Sequence, residues 1–291
     1  MTLGLALGSG GARGFCHIGV LRGMEQAGYA PDMVAGCSMG ALVGAAWAAG
    51  QLEALENWAR NLTKARFLSY LDVRFTGGGV LRGQAILDVL SELDLPENIE
   101  DLSKPFVTVA TDLSTGREVW FQEGSLRDAV RASVAIPGVL RPHKVGDRYL
   151  IDGGVTNPVP VSACRAIGAQ RIIGVDPNDK AGRHYWQPRR NGLLADLMGT
   201  DLRDKLPDAV SALLPDNDLS GPDLMDVIDS TVEIATDYLV KTREAADPPH
   251  LMLRADLSHI SVLELFRASE AIEEGARLVE NAAQPLDSLL G

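Results

Sequence analysis

One serine lies in a pattern typical of enzyme nucleophiles. The stretch "GCSMG" (Gly36 to Gly40) fits G-x-S-x-G, between an apolar run typical of a buried strand and one typical of a helix. In that context the serine occupies a strained turn, and a β-carbon on either glycine would collide with the tight backbone. The helix N-terminus behind it offers free amides to a developing oxyanion. Ser38 is therefore a candidate nucleophile, with a plain tight turn as the alternative.

A serine nucleophile needs a base, and the histidines are poor candidates for it. An α/β-hydrolase has several strands before its nucleophile and then an acid and a histidine, whereas one predicted strand precedes Ser38. His17 falls inside the first predicted helix, where we expect a packed or capping side chain. No signature surrounds the other histidines: His143, His184, His250 and His259.

An aspartate offers a better base. In "IDGG", Asp152 ends an apolar strand, and Gly153 and Gly154 let the backbone pass close to another group. An aspartate of ordinary pKa, about 3.9, is a weak base at neutral pH; burial raises the pKa and adjacent amides lower it. A Ser–Asp pair therefore requires a shielded pocket. On its own, D-G-G is more typical of a hairpin turn.

A glycine loop follows the first apolar run. The stretch "GSGGARG" (Gly8 to Gly14) begins like a dinucleotide fingerprint, but Arg13 stands at the sixth position and no acid ends the next strand. The alternative is that the loop presents unpaired backbone amides to a ligand. Gly10 and Gly11 can then direct N–H groups at the oxygen of a carbonyl attacked by a serine, while Arg13 braces the loop or neutralises charge nearby.

The elements that must position these loops alternate between strand and helix. This order predicts right-handed crossovers and a largely parallel sheet covered on both faces, with ligands at the carboxyl ends of the strands. Three loops with unusual chemistry leave such ends: 8–14, 36–40 and 152–154. The predicted strands are 2–7, 33–37, a hairpin over 105–121, 148–154, 171–176 and 250–257. The predicted helices are 14–27, 39–50, a stretch up to 61, 84–93, 126–135, 161–169, 223–243 and 261–283.

Composition argues against several classes of protein. The 291 residues include 46% apolar residues and carry a formal net charge of −12. We therefore expect a buried core and no nucleic-acid partner, because phosphates require clustered Lys and Arg. Three cysteines without a C-x-x-C pattern, Cys16, Cys37 and Cys164, favour a reducing cytoplasm. No secretory signal pattern opens the chain, and the uncharged stretch 33–52, rich in Gly and Ala, favours strand, turn and helix over a transmembrane segment.

The segment 223–243 predicts a two-faced helix. Its apolar residues fall on one half of the surface and Asp226, Asp229, Glu233 and Asp237 on the other. Such a helix can pack on the core, or it can cover an acyl pocket or join two subunits. Turn-rich flanks allow residues 177–247 to form an insert with one of the latter roles, and a homo-oligomer is then possible.

Taken together, the motifs resemble the patatin-like phospholipases, and among them the small single-domain bacterial RssA-type members. The matching stretches are "ALGSGGARGFCHIGVL", "VAGCSMGALVGA", "VATDLSTGREVWF", "VRASVAIPG", "LIDGGVTNPVP" and, near the end, "AADPPHLMLRADL". The resemblance implies one three-layer α/β/α domain over 1–291, a Ser–Asp dyad and a glycine-rich oxyanion loop. It implies Ser38 as nucleophile, Asp152 as base, the amides of Gly10, Gly11 and Met39 as oxyanion donors, and supporting roles for Gly8, Arg13, Gly14, Gly36, Gly40, Gly153 and Gly154.

These observations favour a cytoplasmic serine acyl hydrolase that acts on lipid or fatty-acyl esters. The dyad chemistry implies no cofactor and no metal. The main alternative is a regulatory or scaffolding protein that keeps the fold with negligible turnover. A nucleotide-binding oxidoreductase is a more distant alternative, since the glycine loop departs from the dinucleotide fingerprint.

Overall fold

The computed structural model describes residues 1–69, 79–81, 89–180, 185–186 and 224–291. Its strands are β1 (Leu3–Leu7), β2 (Met33–Cys37), β3 (Gly79–Leu81), β4 (Phe106–Asp112), β5 (Glu118–Phe121), β6 (Gly138–Leu140), β7 (His143–Val145), β8 (Arg148–Asp152), β9 (Arg171–Asp176) and β10 (Leu251–Arg254). Its helices are α1 (Cys16–Gln26), α2 (Met39–Ala48), α3 (Leu52–Arg60), α4 (Lys64–Ser69), α5 (Leu126–Ser133), α6 (Val161–Ala166), α7 (Leu224–Ala246), α8 (Ala268–Asn281) and α9 (Ala283–Leu290).

A mostly parallel sheet forms the centre of the fold, as the alternation of strands and helices predicts. Eight strands belong to it, in the order β10-β9-β1-β2-β4-β8-β7, with β5 also paired to β4. The run from β10 to β4 is parallel, whereas β5 and β8 pair antiparallel with β4, and β7 with β8. The remaining strands, β3 and β6, form a separate parallel pair. The fold is an α/β fold, and the predicted hairpin over 105–121 is confirmed as β4 and β5.

Helices cover both faces of the sheet because side chains alternate along each strand. In β1, Leu3, Leu5 and Leu7 point into one apolar core, which also contains buried residues of α1, α2, α5 and α8. Ala6 points into the opposite core, shared with Val161 and other residues around α6. The strands are thus buried on both sides, and the arrangement is the predicted three-layer α/β/α architecture.

The last predicted helix begins later than its apolar pattern indicates. We predict a helix over 261–283, but α8 begins at Ala268 and a second helix, α9, follows. Before α8, the carbonyl of Ile260 accepts a hydrogen bond from the Arg13 side chain and that of Val262 accepts one from the Ala12 amide. Both bonds hold the segment before α8 against the glycine loop, and this long-range contact overrides the local helical spacing.

Other boundaries differ less. A short 3-10 helix, Gly11–Phe15, precedes α1, and the strands β6 and β7 were not predicted. Of the predicted helix 84–93, only its end, from residue 89, lies within the described residues. His184 and most of the predicted insert, 177–247, lie outside them. Among the described residues, no helix combines the length and the apolar character needed to cross a membrane.

The chain divides into two compact units. The first comprises Met1–Asp179 and Leu239–Gly291, and contains the central sheet; the second is Lys180–Tyr238. Within the second unit, two acidic residues of α7 have partners: Asp237 accepts a hydrogen bond from the Tyr185 hydroxyl at 2.6 Å, and Glu233 pairs with Lys180. Four apolar side chains of α7 in this unit are exposed: Val227, Val232, Ile234 and Tyr238. The side chain of Ile228 lies outside the described residues.

Candidate active site

Ser38 occupies a strained turn between β2 and α2. Its backbone φ of 54° lies in the left-handed region, which a residue with a side chain rarely adopts. Close backbone approach explains the flanking glycines: a β-carbon on Gly36 would overlap the Gly40 carbonyl, and one on Gly40 would overlap the Leu7 carbonyl. The serine stands at the N-cap of α2, so the first amides of the helix lie beside its hydroxyl.

A second serine holds this turn in place. The Ser38 amide donates a hydrogen bond of 2.8 Å to Ser133 Oγ, and the Ser133 hydroxyl donates one of 2.7 Å to the Val109 carbonyl. Ser133 is fully buried at the end of α5. It therefore connects the strained residue to β4, which stabilises an unfavourable backbone conformation. Sequence reasoning gave Ser133 no role, although it lies in the "VRASVAIPG" stretch.

Ser38 and Asp152 meet within the fold. The serine hydroxyl donates a hydrogen bond of 2.5 Å to Asp152 Oδ2, and the Gly154 amide donates one of 2.7 Å to Oδ1. The sheet brings them together because β2 and β8 both pair with β4, where Asp152 stands opposite Ala110. Ser38 is 2% exposed and Asp152 5% exposed. The pair is thus shielded from bulk water.

The environment of Asp152 makes its carboxylate a stronger base than an exposed one. Burial raises the pKa of Asp152 from 3.8 to about 6, while the hydrogen bonds from the Ser38 hydroxyl and the Gly154 amide lower it. Burial is the largest of these effects because it disfavours the charged form. At neutral pH the carboxylate remains mostly ionised, yet it has an appreciable affinity for a proton. This combination suits a general base.

The glycine loop is held by the amides at its start. Gly8 donates to the Val175 carbonyl at 3.0 Å and Ser9 to the Pro158 carbonyl at 2.8 Å, which ties the loop to β9 and to the segment before α6. The next two amides, those of Gly10 and Gly11, have no hydrogen-bond partner among the described residues, nor does that of Met39. These are the three amides that the sequence predicts as oxyanion donors.

The three loops meet beside the C-terminal ends of β1 and β2, although the loop 152–154 leaves the antiparallel strand β8. A β-carbon on Gly14 would lie 2.5 Å from Met39 Cβ, so the glycine loop packs directly against the serine turn. A β-carbon on Gly154 would lie 2.9 Å from Ser9 Oγ, and one on Gly153 would overlap the Val109 carbonyl. The supporting glycines therefore mark close contacts between loops that are distant in sequence.

Arg13 braces the glycine loop. Its buried guanidinium donates from Nε to the Ile260 carbonyl at 2.7 Å and from Nη1 to Asn178 Oδ1 at 3.3 Å. Asn178 in turn donates from Nδ2 to the Ser9 carbonyl at 2.6 Å. Asn178 is a residue that sequence reasoning missed, because it lies in the segment 177–247 that carries none of the recognised motifs.

His17 packs beneath the loop and does not contact the serine. It is fully buried, and its Nε2 lies 2.8 Å from the Gly8 carbonyl, so Nε2 carries the proton and donates. Burial lowers the pKa of His17 to about 4, which leaves it neutral at physiological pH. The other described histidines bond elsewhere: His143 to Asp128, His250 to the Ile172 amide and His259 to Glu270.

Comparison with known proteins gives one family match. The model of the family described as patatin-like phospholipase matches residues 5–165, which is more than half of the chain. An uncharacterized NTE family protein of Mycobacterium tuberculosis is 47% identical over 174 residues, which are 60% of this chain and 48% of the relative. The chain thus spans about half the length of that relative.

More distant relatives are much longer proteins. Human patatin-like phospholipase domain-containing protein 6 is 34% identical over 182 residues, which are 60% of this chain and 13% of the relative. Neuropathy target esterase sws of Drosophila melanogaster shows the same identity and coverage. The family match ends before β9, Asn178 and the C-terminal helices, although the first two of these hold or contact the glycine loop.

Proposed function

The chain belongs to the patatin-like phospholipase family, and on this premise we propose that it is a serine acyl hydrolase that cleaves lipid or fatty-acyl esters. The observation that carries the proposal is the 2.5 Å hydrogen bond between Ser38 Oγ and Asp152 Oδ2. A serine hydroxyl becomes a useful nucleophile when an adjacent base accepts its proton as it attacks. Asp152 is the group so placed.

In the acylation step, Ser38 Oγ attacks the ester carbonyl while its proton passes to Asp152 Oδ2. The tetrahedral intermediate collapses as the bond to the alcohol breaks, and the protonated Asp152 donates its proton to the departing alkoxide. The products are an acyl-enzyme on Ser38 and a free alcohol. With a pKa of about 6, the Asp152 carboxylate is ionised before the attack and can accept the serine proton. The resulting carboxylic acid is then acidic enough to give that proton to the departing alkoxide.

Backbone amides stabilise the oxyanion formed in each step. The proposed donors are the amides of Gly10, Gly11 and Met39, which have no hydrogen-bond partner in the part of the chain that the structure describes, and the positive end of the α2 dipole adds to their effect. These donors are fixed before the substrate arrives, since the loop is held through Gly8 and Ser9. Preorganised donors of this kind commonly contribute about 10²–10³ in rate each.

Deacylation repeats the same chemistry with water. Asp152 accepts a proton from a water molecule whose oxygen attacks the acyl carbonyl, and the bond to Ser38 Oγ breaks as that oxygen regains a proton. The products are a carboxylic acid and the free serine. The names of the relatives, a neuropathy target esterase and a phospholipase domain protein, support ester substrates with fatty-acyl chains.

Hydrolysis of chromogenic esters with graded chain length tests the proposal. Wild-type protein should turn over part of the series, and the Ser38→Ala variant should lose the activity by about 10³ or more. Ser258→Ala is a matched control, because the exposed Ser258 hydroxyl also donates to a carboxylate, that of Asp256 at 2.7 Å, but does not lie on a strained turn. It should retain full activity. Folded wild-type protein with negligible turnover across the series would instead favour the regulatory or scaffolding alternative.

A further inference from the structure

We infer that Asn178 is a positioning residue that orients the Gly10 amide toward the oxyanion, an inference that rests on the proposed hydrolase function. Asn178 lies in the turn after β9. Its Nδ2 donates a hydrogen bond of 2.6 Å to the Ser9 carbonyl, its Oδ1 accepts one of 3.3 Å from Arg13 Nη1, and its backbone amide donates one of 3.0 Å to Asp176 Oδ1. The side chain is therefore held at both ends.

The bond to Ser9 acts on the next amide along the chain. The described backbone has no cis peptide bond, and in a planar trans peptide the C=O and the following N–H point in opposite directions. Fixing the Ser9 carbonyl consequently fixes the direction of the Gly10 N–H. That N–H has no partner among the described residues, whereas the two preceding amides are used to hold the loop.

Arg13 sets which way round the Asn178 amide lies. A guanidinium only donates hydrogen bonds and a backbone carbonyl only accepts them. Oδ1 toward Arg13 and Nδ2 toward Ser9 is thus the one orientation that satisfies both partners. Arg13 is itself anchored by its Nε bond to the Ile260 carbonyl. The result is a chain of contacts from the C-terminal part of the protein, through Arg13 and Asn178, to the peptide that carries a proposed oxyanion donor.

The isosteric Asn178→Asp variant is the sharpest perturbation. It places an acceptor against the Ser9 carbonyl in place of a donor. The hydrogen bond that fixes the orientation of the Ser9–Gly10 peptide is then lost. Loss of a whole oxyanion donor commonly reduces kcat by about 10²–10³. A misdirected donor should reduce it by about 10- to 100-fold, with KM changed by less than about twofold, because the contact is made mainly in the transition state.

The experiment compares full-length wild type, Asn178→Asp and Asn178→Ala. The alanine variant loses the donor without gaining a repulsive acceptor, so it should show a smaller loss of kcat. Asn61→Asp is the control, because Asn61 also donates from Nδ2 to a backbone carbonyl, that of Asn57, but on the exposed end of α3. Each rate is divided by the concentration of active sites, measured as the amount of protein that a fluorophosphonate has labelled when the reaction is complete. Unfolded protein is then excluded from the comparison.

A trifluoromethyl ketone separates positioning from general damage. Such a ketone forms a tetrahedral oxyanion adduct with a serine, so its inhibition constant for Asn178→Asp should rise by the same factor by which kcat/KM falls. An unchanged kcat per labelled site, or a lower kcat with an unchanged inhibition constant, would overturn the inference. Wild-type protein that neither hydrolyses esters nor becomes labelled would overturn the proposed function, and the inference with it.

Discussion

Replacing Asp152 with asparagine should abolish hydrolysis and also stabilise the fold at neutral pH. Burial raises the pKa of Asp152 from 3.8 to about 6, against the lowering effect of the hydrogen bonds from the Ser38 hydroxyl and the Gly154 amide. Asparagine has nearly the same volume. It can accept the Gly154 bond through Oδ1 and donate to Ser38 Oγ through Nδ2. It carries no charge, so the desolvation that opposes ionisation of the buried aspartate disappears.

The size of the effect follows from the two pKa values. The interval between 3.8 and about 6 corresponds to about 3 kcal/mol of unfolding free energy. Because the folded pKa is the higher one, the stability contributed by Asp152 is fully present below 3.8 and is lost as the pH rises through about 6. Asparagine does not titrate. The advantage of the Asp152→Asn variant should therefore grow from below about 1 kcal/mol near pH 4 to about 3 kcal/mol near pH 7.5.

Urea unfolding followed by circular dichroism at these two pH values measures the difference directly. Asp147→Asn is the control, since Asp147 is exposed in the turn between β7 and β8. Its unfolding free energy should stay within about 0.5 kcal/mol of wild type at both pH values. An Asp152→Asn variant with the same advantage at both pH values, or with lower stability than wild type near pH 7.5, would refute the reasoning about the buried carboxylate.

Three further predictions concern the same site. The value of kcat/KM should fall about tenfold for each pH unit below about 6, because Asp152 must be ionised to accept a proton. The His17→Asn variant should show the same fall in kcat/KM, and its absence in that variant would indicate that His17 is the titrating group. The double variant Ser38→Ala with Asp152→Asn should be little slower in ester hydrolysis than either single variant, since the pair acts as one unit; additive losses would indicate independent roles. Ser133→Ala should lower the unfolding free energy by about 1–3 kcal/mol in urea titrations, because it leaves the buried Ser38 amide without its acceptor; wild-type stability would show that the turn does not need this bond.

The sequence predicts the central sheet and the three loops at its edge because their signals are local. Apolar runs that end in glycine or in an acid mark strands followed by tight turns, and β1, β2 and β8 lie where these runs indicate. The meeting of Ser38 with Asp152 does not follow from this pattern alone, because β4 lies between β2 and β8 and β8 runs antiparallel to β4. The register, with Asp152 opposite Ala110, brings the two residues to the same level of the sheet.

The contacts that hold the loops could not be predicted from local patterns. Ser133 reaches Ser38 across 95 positions and Asn178 reaches Ser9 across 169 positions. Each bond joins a side chain to a backbone group, and no spacing rule records such pairs. The segment before α8 shows the same limit: its apolar spacing indicates a helix, but the carbonyls of Ile260 and Val262 bind the glycine loop instead.

Covalent labelling with a fluorophosphonate tests the central claim most directly, because the reagent reacts with an activated serine and leaves an adduct that mass spectrometry can place. We predict one adduct, on Ser38, with labelling strongly slowed in Asp152→Asn and absent in Ser38→Ala. The exposed pair of Ser258 and Asp256 is the internal control, since its serine also donates to a carboxylate but lacks the strained turn and the glycine loop, and should remain unlabelled. An adduct on another residue, or labelling of Ser38 at an unchanged rate in Asp152→Asn, would contradict the proposed dyad.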